Sequence, residues 1–308
     1  MENRHEGVVI RATGSWYEVL SEERVYNCRI RGRLRLKGVR STSPVVVGDV
    51  VLFEADTDEN YVICEITPRR NYIIRRASNL SKESHIIAAN IDRAILVATL
   101  FAPTTATEFI DRFLVTCEAY KIPATIILAK VDLAQSEPEA MAEFVAIYRS
   151  AGYEVVEVSA TQGIGLERVK EILHGHTTLI SGNSGVGKST LIGAIEPHIE
   201  IKTGEISASH HKGKHTTTFS TMYPLSDGGY IIDTPGIKGF GLLDIDDAEL
   251  WHYYPEMMEY GSKCQFYNCT HTHEPKCAVI KAVEQGEIAY SRYESYLKIL
   301  DEDEKYRK

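Results

Sequence analysis

Three features of the 308-residue sequence predict a multidomain α/β chain: short β-rich runs before residue 76, alternating apolar strands and amphipathic helices over 77–243, and a cysteine- and histidine-rich helical tail over 244–308. The β-rich runs are GVVIRA, YEVL, YNCRIRG, DVVLFEA and YVICEI, divided by turn-type residues. Five strands in under 80 residues suit a small barrel of the oligonucleotide-binding type, so residues 1–76 are expected to form one.

After the Arg-rich stretch PRRNYIIRRAS the texture changes. AILVATL, a helix through Phe109, Phe113 and Cys117, ATIILAK, a helix near 138–151, YEVVEVSA and a helix near 165–173 form a βαβαβα series. TTLISG, a helix after Gly187, FSTMYPL and GYIIDTPG continue it. This pattern predicts a doubly wound sheet over 77–243, with ligands at the carboxyl ends of its strands. From about Asp244 the chain turns helical and finishes in the charged segment SRYESYLKILDEDEKYRK.

Composition narrows the setting. No stretch approaches the roughly 18 apolar residues of a membrane span, and MENRHEGVVI lacks a secretory pattern, so a cytoplasmic protein with no membrane contact is expected. The formal charge is −9, yet residues 1–76 carry 13 Lys/Arg against 11 Asp/Glu. Any contact with a phosphate backbone is therefore expected at the N-terminal end. There Arg29, Arg31, Arg33 and Arg35 alternate with Ile30, Gly32, Leu34 and Leu36, which in an extended strand places all four guanidiniums on one face. Such a face follows an RNA backbone or, alternatively, is simply solvated.

The strand TTLIS runs into Gly182-Asn183-Ser184-Gly185-Val186-Gly187-Lys188-Ser189-Thr190, which opens a helix and matches the P-loop pattern in its required context. Glycines let successive N–H groups and the helix N-terminus face phosphates, Lys188 neutralises the β and γ oxygens, and Ser189 ligates Mg2+. Asp233, at the end of the apolar strand YIID, is expected to hold Mg2+ through water, and the Gly236 N–H to sense the γ-phosphate. Between them the run Gly213-Lys214-His215-Thr216-Thr217-Thr218 occupies the place of a switch loop. Thr217 is slightly favoured over its neighbours to complete the Mg2+ shell. Ile237 occupies the region where many GTPases place Gln, so intrinsic turnover is expected to be slow and His215 is the candidate for orienting water.

Upstream of the P-loop, Ala129-Lys130-Val131-Asp132 and Val158-Ser159-Ala160 end two apolar strands and resemble the [NT]KxD and SA elements of Ras-like GTPases. The chemistry suits guanine. Asp132 accepts from N1–H and N2–H₂, a backbone N–H near Ala160 donates to O6, and the Lys130 stem lies over the base. Ala129 departs from that motif, whose Asn or Thr tethers the base loop to the P-loop. The base loop and SA element precede the P-loop, the reverse of the ordinary order, which makes the domain a circularly permuted Ras-like P-loop GTPase.

In the tail, Cys264-x₄-Cys269-x-His271-x₅-Cys277 offers three thiolates and one imidazole, the set for a closed structural zinc site, with His273 an alternative fourth ligand. Taken together and in this order, the motifs resemble the RsgA family of small-subunit-dependent ribosome-assembly GTPases. The resemblance spans nearly the whole chain. It implies binding and hydrolysis of GTP on the small ribosomal subunit, contact with its rRNA, release of an assembly factor, and His271 as the fourth zinc ligand. A monomer is expected. Two other classes compete: a nucleotide-gated RNA-binding or scaffold protein with little turnover, motivated by Ala129 and Ile237, and a P-loop kinase, which the base-reading elements disfavour.

Overall fold

The computed structural model describes residues 4–30, 44–57, 60–76, 84–199, 220–233, 245–246 and 248–306. Arg31, Arg33, Arg35, His215, Thr217 and Gly236 lie outside the described residues.

The first five strands are β1 (His5–Thr13), β2 (Trp16–Ser21), β3 (Arg24–Ile30), β4 (Val50–Thr57) and β5 (Asn60–Ile66). They run in the order β1-β2-β3-β5-β4, and β4 pairs back onto β1, with Glu6 opposite Leu52, which closes a barrel. Closure removes the free edges that a five-stranded open sheet would expose. Alternation aims Val9, Tyr17, Val19, Cys28, Val51, Phe53 and Ile63 inward. Burial pushes the Cys28 thiol up to about 12, so it behaves as a small apolar side chain.

A two-stranded ribbon of β6 (Tyr72–Arg76) and β7 (Ser84–Ala89) follows, separate from the barrel. The Ala89 N–H donates to the Val47 carbonyl at 2.9 Å and joins the two parts, and Arg69 holds the segment between them. Its guanidinium donates to both carboxylate oxygens of the fully buried Asp49, at 2.6 and 2.7 Å, and to the Pro44 carbonyl at 3.0 Å.

The central layer comprises β8 (Arg93–Ala98), β9 (Ala124–Ala129), β10 (Glu154–Val158), β11 (Thr177–Ser181), β12 (Thr221–Pro224) and β13 (Tyr230–Asp233). Its order is β10-β9-β8-β11-β13-β12, parallel except for β12. The helices α1 (Thr107–Ala119), α2 (Pro138–Ser150), α3 (Leu166–Leu173) and α4 (Lys188–Ile195) cover both faces. Strands buried on both sides read as continuous apolar runs, and the pleat sorts them. Leu96, Ala98, Ile126 and Leu128 pack with Phe113 of α1 and Phe144 of α2, whereas Ile95, Val97 and Ile127 pack with Val169 of α3 and Leu191 of α4. At the far edge β12 meets β1 of the barrel, Arg11 opposite Thr221, so eleven strands form one sheet.

The tail consists of a 3-10 turn (Leu250–Tyr253), α5 (Pro255–Gly261), α6 (Ala278–Glu284) and α7 (Tyr290–Tyr306). Its core of Leu250, Tyr254, Met257, Val279 and Tyr296 includes Val115 of α1, so the tail is built onto the central domain. Arg292 of α7 is 1% exposed and pairs with Asp111 of α1 at 2.6 Å and Glu256 of α5 at 2.7 Å. Among the described residues no helix is long and apolar enough to cross a membrane.

Candidate nucleotide site and metal centre

Strand order fixes where a ligand sits. Running out from β8, the chain goes through β9 to β10 on one side and then returns to β11 on the other. The crevice at the carboxyl ends of β8 and β11 is therefore the topological switch point, the place where doubly wound sheets bind ligands. The segment 182–187 leaves β11 there and enters α4.

Gly182 has φ +149°, and a Cβ on it would stand 2.4 Å from the Val97 carbonyl oxygen, so only glycine lets the loop turn against β8. Gly187, at φ +101°, caps α4 and accepts from the Leu191 N–H at 2.8 Å. Val186 is fully buried and anchors the middle of the loop, while Ser184, Gly185 and Thr190 are exposed. Lys188 turns back over the loop and donates to the carbonyls of Gly182 at 2.5 Å and Asn183 at 2.9 Å. An ammonium has three donors, so one is left for an anion. Burial lowers the Lys188 pKa, and the Asp233 carboxylate at the end of the neighbouring strand β13 pulls it back up. Asp233 and Ser189 are both half-buried on this rim.

The two strand-end segments expected to read the base follow β9 and β10. The β9–β10 register sets Ala129 opposite Val158, and the Val131 N–H donates to the Val158 carbonyl at 3.2 Å. Lys130 and Asp132 therefore lie beside Ser159 and Ala160. Ser159 is fully buried. It exchanges backbone bonds with Ile164 at 3.1 and 3.0 Å, and its hydroxyl accepts from the Gln162 N–H at 3.3 Å. Lys130, with φ 59°, sends its ammonium to the carbonyls of Ala102 at 2.6 Å and Gly185 at 2.7 Å. Ala102 belongs to a loop that the sequence did not single out. The signal is topological, since β8 becomes the central strand only once the sheet order is known.

The metal-type cluster gathers Cys264, Cys269, His271 and Cys277, with all four ligand atoms within 4.8 Å of one another. The Cys264 and Cys277 sulfurs are 3.8 Å apart, and His271 Nδ1 lies 3.5 and 3.3 Å from them. A tetrahedral zinc with bonds of about 2.3 Å to sulfur and about 2.0 Å to nitrogen needs edges of about 3.5–3.8 Å, so the donor set fits that ion. Burial lowers the His271 pKa and keeps the imidazole neutral, the form a metal requires. The Cys264 and Cys277 sulfurs accept from the N–H groups of Ala278 and Ile280 at 3.3 and 3.5 Å, at the start of α6. His273 is exposed and bonded to the Thr272 hydroxyl at 2.8 Å, away from the cluster. Glu274 shapes the loop. Burial would raise its pKa, but bonds from Thr270, from its own backbone N–H and from that of His273 outweigh that and hold it at about 2.

On the barrel, Arg29 stacks over the Trp16 ring at 3.8 Å to the centroid, and Arg24 lies 5.7 Å from that of Tyr26. His5, Tyr26, Phe53 and Tyr61 form a ring cluster that Arg24 joins through Tyr26. The sequence shows no aromatic interleaving in the Arg-rich run because His5, Phe53 and Tyr61 come from three other strands and meet Tyr26 of β3 only when the barrel closes.

Comparison with known proteins agrees with this geometry. The RsgA GTPase family profile matches residues 66–243 and the RsgA N-terminal domain profile residues 6–63. A "Small ribosomal subunit biogenesis GTPase RsgA" from Phocaeicola vulgatus is 53% identical, covering 98% of this chain and 99% of that protein. One from Porphyromonas gingivalis is 52% identical, with coverage of 98% and 99%. Among solved structures, YjeQ from Thermotoga maritima has a TM-score of 0.78 and 35% identity, covering 97% of this chain and 98% of that one. YloQ, described as a circularly permuted GTPase, has a TM-score of 0.73 and 31% identity, with coverage of 100% and 97%.

Proposed function

Because the chain belongs to the RsgA family of GTPases, matched along nearly its whole length, we propose that it hydrolyses GTP in the cytoplasm to drive late maturation of the small ribosomal subunit. The observation that carries this reading is the sheet order, which brings the P-loop after β11 and the two base-reading segments after β9 and β10 around one switch point.

In this reading Asp132 accepts from N1–H and N2–H₂ of guanine, the Ala160 N–H donates to O6, and the Lys130 stem covers the base. Asn183, Ser184, Gly185, Val186, Gly187 and the first turn of α4, with Thr190, present backbone N–H groups to the phosphates. The third Lys188 donor meets the β and γ oxygens. Ser189, Asp233 and Thr217 hold Mg2+, which supplies charge neutralisation on the phosphates. Gly236 senses the γ-phosphate, and His215 orients the attacking water. Cys264, Cys269, His271 and Cys277 hold one structural Zn2+. Four protein ligands leave no position for a reacting water, so the metal's part is to fold the tail.

The barrel supplies the RNA contact, with Arg29 and its neighbours Arg31, Arg33 and Arg35 along phosphates and Trp16 as a stacking platform. The chain acts as a monomer and its departure frees an assembly factor. Turnover of purified protein with GTP and with ATP, alone and with small subunits, tests the reading. GTP selectivity and subunit-stimulated hydrolysis are expected. GTP binding with no stimulation favours a nucleotide-gated scaffold, and ATP selectivity removes the base assignment.

A further inference from the structure

The Asn or Thr of the base-reading motif is replaced here by Ala129, a buried methyl with no hydrogen-bonding group. In the sheet, β8 lies between β9 and β11, with Ala98 opposite Leu128 and Leu96 opposite Ser181. The segment that leaves β8 must therefore emerge between the base loop and the P-loop. That segment, 99–106, is braced from within. The Thr99 N–H donates to the Thr105 hydroxyl at 3.0 Å, the Thr105 N–H to the Thr99 carbonyl at 2.9 Å, and the Thr99 hydroxyl to the Pro103 carbonyl at 2.5 Å. Both threonines are buried, at 2% and 6% exposure.

The brace has an outward effect. Inside it Ala102 has φ 51°, a left-handed conformation that a non-glycine residue holds only when its surroundings impose it. The Ala102 carbonyl receives the Lys130 ammonium at 2.6 Å, while the same ammonium donates to Gly185 of the P-loop at 2.7 Å. Pro103 stands over Gly185, its Cδ 3.5 Å from where a Cβ would be, and the Lys130 Cε lies 3.7 Å from the same position on Gly187. One cation thus ties three loops that leave adjacent strands.

We propose that residues 99–106 form a third wall of the nucleotide site, whose Ala102 carbonyl anchors Lys130 so that it holds the P-loop to the base loop in place of the side-chain tether that Ala129 lacks. The inference rests on the guanine-nucleotide reading of the site. Thr99 and Thr105 are then positioning residues. They set the carbonyl that sets the ammonium, and their effect falls on retention of nucleotide and not on the chemical step.

The test uses the full-length chain with zinc and Mg2+ and a fluorescent GDP analogue. Thr105→Val keeps the shape of the side chain and removes the oxygen that accepts from Thr99, and Thr105→Ser keeps that oxygen. Thr105→Val is expected to speed GDP dissociation by about tenfold, the effect of one lost charge-assisted bond, while kcat at saturating GTP stays within about twofold. Thr105→Ser is expected to match the wild type. Adding Ala129→Asn to Thr105→Val is expected to recover most of the retention. Unchanged GDP dissociation in Thr105→Val, or a loss that Ala129→Asn does not recover, overturns the proposal. If Thr105→Val fails to fold, Lys130→Gln with and without Ala129→Asn makes the same comparison. An equal penalty in the two backgrounds overturns the tether. A wild-type chain that binds no GDP sinks the guanine reading itself, a result distinct from any of these.

Discussion

In the proposed reading, Asp132 concentrates the choice of base in one side chain. It sits half-buried beside Ser159 and Ala160 because the β9–β10 register sets Ala129 opposite Val158. Two carboxylate oxygens match two guanine donors, and an amide matches only one of them while opposing the other with N–H₂. Asp132→Asn is expected to weaken GDP and GTP by about a hundredfold, the loss of two charge-assisted bonds, and to shift preference to xanthosine nucleotides. Isothermal titration with both bases measures this, and unaltered GTP binding removes Asp132 from the site. Single residues of this kind were legible wherever their partners lie close in sequence. Gly182 to Ser189 and Cys264 to Cys277 each fall within one short segment. The Lys130 bonds to Ala102 and Gly185 were not, because they span 28 and 55 residues and depend on which strands are neighbours.

At the level of elements, periodicity gave the strands and helices of the central layer with small shifts at the ends, since runs such as AILVATL and ATIILAK are apolar over most of their length. The ribbon β6–β7 escaped it, as Arg75 and Arg76 make β6 look like a linker. In the tail, spacing left two histidines open, and the fold separates them: His271 turns inward at φ 57° while His273 faces solvent. The metal-type loop between α5 and α6 places only Cys269 and Cys277 in the buried apolar core of the tail, so its order is expected to depend on the ion. Cys264→Ser is expected to lower zinc content from about one per chain and to bring forward proteolytic cleavage in 255–285, with GDP binding retained. Elemental analysis and limited proteolysis check both, and unchanged zinc stoichiometry sinks the assignment.

For the whole molecule, the contact that commits the tail to the central domain is the buried charge cluster at Arg292. Its partner Asp111 lies 181 residues away, and neither residue looked special in the sequence. Burial raises the Asp111 pKa and the Arg292 charge draws it down, while the two acids hold Arg292 well above its usual value. The tyrosines 148, 153 and 254 surround the guanidinium at 5.9, 5.6 and 4.7 Å from its carbon to their ring centroids. Removing one partner leaves the others charged and desolvated. Arg292→Met is therefore expected to destabilise the chain by about 3–5 kcal/mol in urea unfolding, whereas removing the exposed Lys298–Glu108 pair through Lys298→Met is expected to have a far smaller effect. Equal effects of the two substitutions would show that the Arg292 cluster is not the junction.

The reversed motif order also has a meaning in time. A growing polypeptide releases its N-terminal parts first, so the barrel strands β1 to β5 and then β8, β9 and β10 leave the ribosome ahead of everything that holds phosphate. At that stage the base loop and Ser159–Ala160 are complete, but β8 still lacks its neighbour β11, and β1 still lacks its pairing with Thr221, 210 positions downstream of Arg11. The crevice between β8 and β11 forms only when synthesis has passed Ser181, and β13 joins it once Asp233 is made. On the proposed reading, a nascent chain stopped at residue 175 carries the loops that select the nucleotide without the P-loop that grips it, so occupancy of the site would mark a finished domain.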